Sequence, residues 1–368
     1  MRVLRLRTSS LHILGAAMLV MLLVSTPAAA FDHAALARRT YEKIILPGYQ
    51  RFDDAARALA EKADALCRSP SAEALAATRA AARGALIDWG RIEPIRFGPI
   101  TQGQRTERLL FYPDAHGIVG KQTARLLAKK DEADIDPAKL AGASVAVQGF
   151  GALDVALYGQ GSEQLATSAP DAAFRCRYVR ALARDIAQIA SDAYADWKGA
   201  HGATWLSAGP SNKTYLTPNE TTQALFRAYV TQLEVLRLQR LAAVAGADAK
   251  PAGPLLPHSG LGLPLVVAGI EGERDILGPD GFGADDLAST DKERDAIAIL
   301  GSVATDLGFA VRAGEAAAAM APDAFTDPQA RERLTPMLLS LKNAEALGRA
   351  ALGALTGQTL GFNSLDGD

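Results

Sequence analysis

Cysteine is almost absent from this 368-residue chain: Cys67 and Cys176 are the only two. No Cys-x-x-Cys-His string can therefore exist, which excludes covalently attached c-type haem. An excess of either charge is also missing. With 39 Lys and Arg against 41 Asp and Glu the formal net charge is -2, and no basic cluster reverses that balance locally, so nucleic acid is excluded as a partner. No segment of convincing length alternates apolar and polar residues, so strands are at most minor. Familiar catalytic strings are missing too. None of His33, His116, His201 and His258 sits in a His-Glu-x-x-His zinc-protease helix, and there is neither a Gly-x-Ser-x-Gly elbow nor a P-loop. Gly149-Phe150-Gly151 begins like a dinucleotide fingerprint but lacks the third glycine and a preceding strand, so no nucleotide cofactor is expected.

What is present begins with an export signal. Arg2, Arg5 and Arg7 precede an apolar run from Ile13 to Val24, and Ala28-Ala29-Ala30 offers a small-residue cleavage site. The pattern predicts a signal peptide over residues 1–30, cut near Ala30, and a periplasmic protein; an uncleaved N-terminal anchor is the alternative. The run is short for a membrane span, no Cys follows it to carry a lipid, and no later run approaches the ~20 apolar residues a span needs. No membrane span is expected after cleavage. In an oxidising compartment Cys67 and Cys176 invite a disulfide, with two buried free thiols as the alternative.

From residue 31 onward the apolar spacing is helical. Leu59, Ala63 and Leu66 mark a first helix that Pro47-Gly48 should break; a second fits Pro70 to Trp89, with Ser69 as N-cap. Leu182, Ile186, Ile189 and Ala193 form a seam in a helix expected from about Ala172 to Trp197. The turn-rich stretches His201-Gly202 and Gly209-Pro210-Ser211-Asn212 place a lobe boundary, giving an N-terminal lobe over 31–205 and a C-terminal lobe over 206–368. Thr217-Pro218-Asn219-Glu220 opens the next helix, which uses Leu225, Tyr229, Leu233 and Leu236. A Pro/Gly-rich interruption runs from Gly246 to Gly262. Two more seams follow, Ile297, Leu300, Ala304, Leu307 and Val311, then Leu334, Leu338, Leu341, Ala344 and Gly348. Each half reads helix pair, irregular middle, helix pair. The expected fold is all-α: two up-and-down four-helix-bundle-like lobes with irregular loop inserts.

The first insert, Ile92 to Gly120, spaces Pro94, Gly98, Pro99, Gly103, Pro113 and Gly117 too closely for a long helix, and loops of that length inside a compact protein usually build a site. It concentrates Glu93, Arg96, Arg105, Glu107, Arg108, Asp114 and His116. Facing it should be the stretch from Ser144 to Tyr158, which sets one carboxylate, Asp154, on an otherwise apolar helix face of Val147, Phe150, Gly151 and Tyr158. A lone ionised carboxylate is rarely buried without a partner. Arg96 or Arg105 is the expected partner where no metal is held, and Gly151 leaves room for an approaching group.

This stretch, VQGFGALDVALYG, resembles the helix around the GxHxxE motif of the imelysin-like family. RIEPIRFGPI (91–100), RLLFYPDAHGIVGKQ (108–122), HSGLGLPLVVAGIEGERDIL (258–277) and LGFNSLDGD (360–368) resemble further blocks of that family in the same order. The resemblance implies a helical, two-lobed protein linked to iron or metal uptake, with metallopeptidase activity as the alternative the family name proposes. The chain departs from the motif at both ligand positions, with Gly151 for the His and Asp154 for the Glu, so the imidazole of a metal pair is gone and the carboxylate is one methylene shorter. The site set read from the residues is Asp114, His116, Asp154 and Glu93, hard oxygen ligands and one imidazole that suit iron or another divalent metal. Arg96, Arg105, Gln148, Gly151, Glu271 and Arg274 are the expected lining of a cleft between the lobes. The leading expectation is a non-catalytic binding or accessory protein that takes a metal ion, a small ligand or another envelope protein. A structural partner of an outer-membrane or redox protein is a further alternative.

Overall fold

The computed structural model describes residues 31–245 and 255–359. The signal segment 1–30, the first part of the second insert and the block 360–368 lie outside them. Among the described residues there are helices and turns and no strand, as the spacing requires.

The first half is organised by three long helices. Helix α1 (His33–Thr40) runs through a π turn at Tyr41–Ile45 into α2 (Leu46–Arg68), and α3 (Ala72–Ile92) returns alongside. Pro47 does not break the helix. It stands in the first turn of α2, where its absent N–H has little to lose, and the π turn just ahead absorbs the change of register. Ser71, not Ser69, caps α3 by accepting the Ala74 N–H, so the helix starts two residues later than the Pro70 signal indicated. After the first insert come α4 (Ile118–Lys129), α5 (Gly149–Tyr158) and α6 (Pro170–Lys198). Helix α2 packs between α3 and α6. The seam Leu182, Ile186, Ile189 and Ala193 is buried as the period predicts, and the disulfide Cys67–Cys176 staples α2 to α6 with the Cα atoms 5.6 Å apart.

The second half contains α7 (Pro218–Glu234), α8 (Gly262–Leu277), α9 (Asp291–Met320) and α10 (Leu334–Thr356). Thr217 starts α7 without a side-chain cap; Glu220 instead accepts the Leu216 N–H. At α9 the capping box closes in both directions between Thr290 and Glu293, a stabilisation of about 1 kcal/mol. By length and apolar content alone α9 could cross a bilayer; in the fold Leu300, Leu307 and Val311 are buried and the helix pairs along its length with α10.

The halves share one continuous apolar core. Helix α1 packs on α7, where His33 Nδ1 lies 2.9 Å from Thr222 Oγ1, and α3 packs on α8. At that crossing a Cβ on Gly272 would stand 2.1 Å from the Arg91 carbonyl oxygen, so glycine is what lets the two backbones meet.

Candidate functional site

Helix α5 begins later than the sequence suggests. Val145–Val147 is a 3-10 turn, Gln148 is extended, and Gly149 has φ +62°, so Val147 does not share the Asp154 face. A Cβ on Gly149 would fall 2.1 Å from the Arg108 carbonyl oxygen and 2.3 Å from that of Leu109. Both the left-handed conformation and the close approach therefore demand glycine, and they press the start of α5 onto the first insert. Gln148 is fixed beside it: its amide donates to the Ala143 carbonyl at 2.8 Å, and its oxygen accepts from Arg108 Nε at 2.8 Å.

Asp154 is 3% exposed. Its partner is not an arginine. Oδ2 accepts the His258 N–H at 3.0 Å and Oδ1 the Ser259 N–H at 2.9 Å, both from the second half. Burial pushes this carboxyl above the usual carboxylate range, while Ser259 and the backbone donors draw it partly back. The expected arginines are committed elsewhere: Arg96 donates to Gln232 Oε1 at 2.9 Å, and Arg105 to the Pro99 carbonyl at 2.8 Å and Asp196 at 2.9 Å. A turn carrying φ +53° at Leu256 and +68° at Gly260 supplies the N–H groups instead, and backbone donors satisfy a buried carboxylate as well as a side chain does.

Asp114 accepts the N–H groups of Ile118 at 2.7 Å and Val119 at 2.9 Å, holding the start of α4. Asp114 and Asp154 border one mainly apolar cavity of about 160 Å³ with Tyr112, Gly151, Leu256 and His258. Gly151 matters here by its size. A Cβ there would come 3.2 Å from Val119 Cγ1, narrowing the space. The other two members of the expected metal set are elsewhere. His116 is exposed outside the cavity, its carbonyl accepting from Lys121 Nζ at 2.7 Å. Glu93 lies in the core, where Arg240 grips both its oxygens at 2.7 and 2.6 Å and Gln232 adds a bond at 3.0 Å. Burial pushes the Glu93 carboxyl up, but the charge and hydrogen bonds of Arg240, helped by Arg96 and Gln232, hold it below its ordinary value. Among the described residues no group of three or more His, Cys, Asp or Glu side chains is placed to hold a metal ion. The residues present do not form the expected metal centre.

The remaining lining candidates divide. Gly151 lines the Asp154 cavity. Glu271, 4.0 Å from Arg91, borders a larger groove of about 880 Å³ between α3, α8 and the end of α9, and Arg274 borders a third depression. The segment between the first two is shared: His258 lines the cavity and Ser259 the groove.

One further carboxylate stands out in the second half, where the sequence groups Glu271, Glu273, Arg274 and Asp275 after the apolar run Leu261 to Ile270. Glu273 on α8 is fully buried, and among the described residues neither carboxylate oxygen has a hydrogen-bond partner. Burial holds its carboxyl well above the ordinary value, opposed only by the charge of Arg96. The criterion that singled out Asp154 finds it: its neighbours at helical spacing are Val266, Gly269, Ile270, Ile276 and Leu277, all apolar.

An all-helical protein in two interlocked halves, with a carboxylate-bordered cavity closed by a loop from the second half, is the class this geometry defines. The chain belongs to the imelysin family, whose model matches residues 45–347. It is similar in fold to an imelysin-like protein from Psychrobacter arcticum 273-4, with a TM-score of 0.73 at 20% identity over 91% of this chain and 100% of that one. It is similar also to a putative iron-regulated protein A precursor from Parabacteroides distasonis ATCC 8503, with a TM-score of 0.69 at 13% identity over 90% and 96%. No curated protein matches the chain.

Proposed function

We propose that this chain is a non-catalytic binding or accessory protein of the periplasm, linked to iron or metal uptake, whose ligand site is the cavity bordered by Asp154 and Asp114. The observation that carries the reading is the position of Asp154: it takes the motif's carboxylate place and lines an apolar pocket that Gly151 leaves open. A carboxylate offers about four acceptor positions, and the backbone uses one on each oxygen of Asp154. The positions left suit a small, largely apolar molecule bearing a cationic or hydrogen-bond-donating group. A bare ion is served less well, because both carboxylates already hold backbone N–H groups and the motif imidazole is absent. That absence also argues against the peptidase reading, which needs a metal-bound water and a general base.

The test uses benzylamine as probe. Thermal melts of the mature protein should shift upward with benzylamine, and those of Gly151→Leu, which fills the cavity, should not. Stoichiometric ferrous binding that requires Asp154, with no benzylamine response, would replace this site with a metal centre. Metal-requiring cleavage of unfolded insulin, abolished in Asp154→Ala, would make the protein a metallopeptidase.

A further inference from the structure

Arg274, flagged by the sequence as cleft-lining, is not used by the Asp154 cavity. It borders a depression of about 580 Å³ where the π turn, α2 and the C-terminal ends of α3 and α8 meet. Four cations from four elements line it: Lys43, Arg51, Arg91 and Arg274, against Asp275 and Asp280. Arg91 and Asp275 neutralise each other, Nε and Nη2 donating to the two carboxylate oxygens at 2.8 and 3.1 Å. Arg274 is anchored through Nε to the Ala304 carbonyl at 3.1 Å, and among the described residues the carboxylate left on the lining is Asp280. Lys43, Arg51 and Arg274 thus exceed it by two charges, in a chain whose overall balance is slightly negative. Two further acids stand beside the lining: Glu271, 4.0 Å from Arg91, and Asp88, half-buried in the neighbouring groove, which Arg51 and Arg91 both influence. Lys43 sits within the π turn at Tyr41–Ile45. Single-turn π segments within helices concentrate at functional sites because they re-aim one side chain at a small cost in hydrogen bonding.

We propose that this depression binds a phosphate monoester, its dianionic phosphoryl group held by Lys43, Arg51 and Arg274 and its organic part resting on Ile44, Ile92 and Pro279. Three cationic side chains border the space a phosphoryl group would fill, and the guanidinium forks suit its oxygens. The volume exceeds what inorganic phosphate fills, and an attached group would meet the exposed ring of Pro279 and the edges of the otherwise buried Ile44 and Ile92.

Calorimetric titration with phenyl phosphate should show saturable binding that weakens as salt rises. Lys43→Gln and Arg51→Gln should each bind roughly tenfold more weakly, the effect of one charge-assisted hydrogen bond. Both positions are exposed, so the variants should melt like the parent, and Lys292→Gln, an exposed cation elsewhere, should bind like it. Inorganic phosphate should bind more weakly than the ester. Absence of saturation in the parent, or equal affinity in all three variants, overturns the site. Equal affinity for phosphate and ester overturns the assignment of the organic part. Because Gly151→Leu leaves this depression intact, its phenyl phosphate affinity should stay at the parent value even if the Asp154 cavity binds nothing.

Discussion

Glu273→Gln should change the way the stability of the protein depends on pH. A carboxyl buried without a partner is costly to ionise, and Glu273 is held well above its ordinary value of 4.5 by burial. The folded chain therefore keeps a proton there that the unfolded chain releases. The favourable contribution is fully present below 4.5 and is lost as pH rises from that value through the folded-state value. Over that window the loss runs at about 1.4 kcal/mol per pH unit, against a total stability of roughly 5–15 kcal/mol for an ordinary domain. Glutamine cannot ionise and removes the slope. Other groups titrate as well: Glu93, held below its ordinary value, contributes with the opposite sign, its stabilisation lost on acidification. Those terms are common to both proteins and cancel in the difference. Urea melts of the parent and Glu273→Gln at about pH 5, 6, 7 and 8 should show the parent losing stability relative to the variant as pH rises above 4.5. Parallel curves would refute the reasoning, because they would mean that Glu273 has the same protonation in both states and that its oxygens find partners.

Gly149→Ala should abolish soluble folded protein, or cost more than about 4 kcal/mol in a denaturant melt, since it combines a left-handed backbone with backbone oxygens inside contact distance. Reducing Cys67–Cys176, which closes a loop of 109 residues, should lower stability by about 3–5 kcal/mol by loop entropy; melts with and without dithiothreitol, and of Cys67→Ser with Cys176→Ser, give the value.

The fold was legible because helical period, N-caps and Pro positions agree along the chain. Leu225, Tyr229, Leu233 and Leu236 are all fully buried, and Pro218 opens α7 where Thr217-Pro218 placed it. The errors are local and share a cause. Pro47 reads as a breaker because composition cannot reveal a π turn upstream, and Ser69 reads as a cap because Ser71, two residues on, presents the same chemistry. At the site, the sequence found the buried Asp154 but misassigned its partner. A carboxylate bound by arginine leaves a charge to search for, whereas N–H groups occur at every residue except proline and carry no signal. Asp114 and His116 illustrate the other difficulty. They are two residues apart, yet Asp114 turns inward to hold the start of α4 while His116 stays in solvent. Glu273 was within reach, because the argument used for Asp154 applies to it unchanged.

Holding a loop by its main chain also shapes how the family can vary. Because Asp154 binds position 258 through its N–H, this bond itself constrains the side chain there only by excluding proline, which would leave one carboxylate oxygen without its donor. Paired substitutions at 154 and 258 should therefore be absent from related chains even though the two positions touch, and a contact map inferred from co-variation would miss the clasp that joins the two halves at this cavity. Its trace in an alignment would be a single forbidden residue.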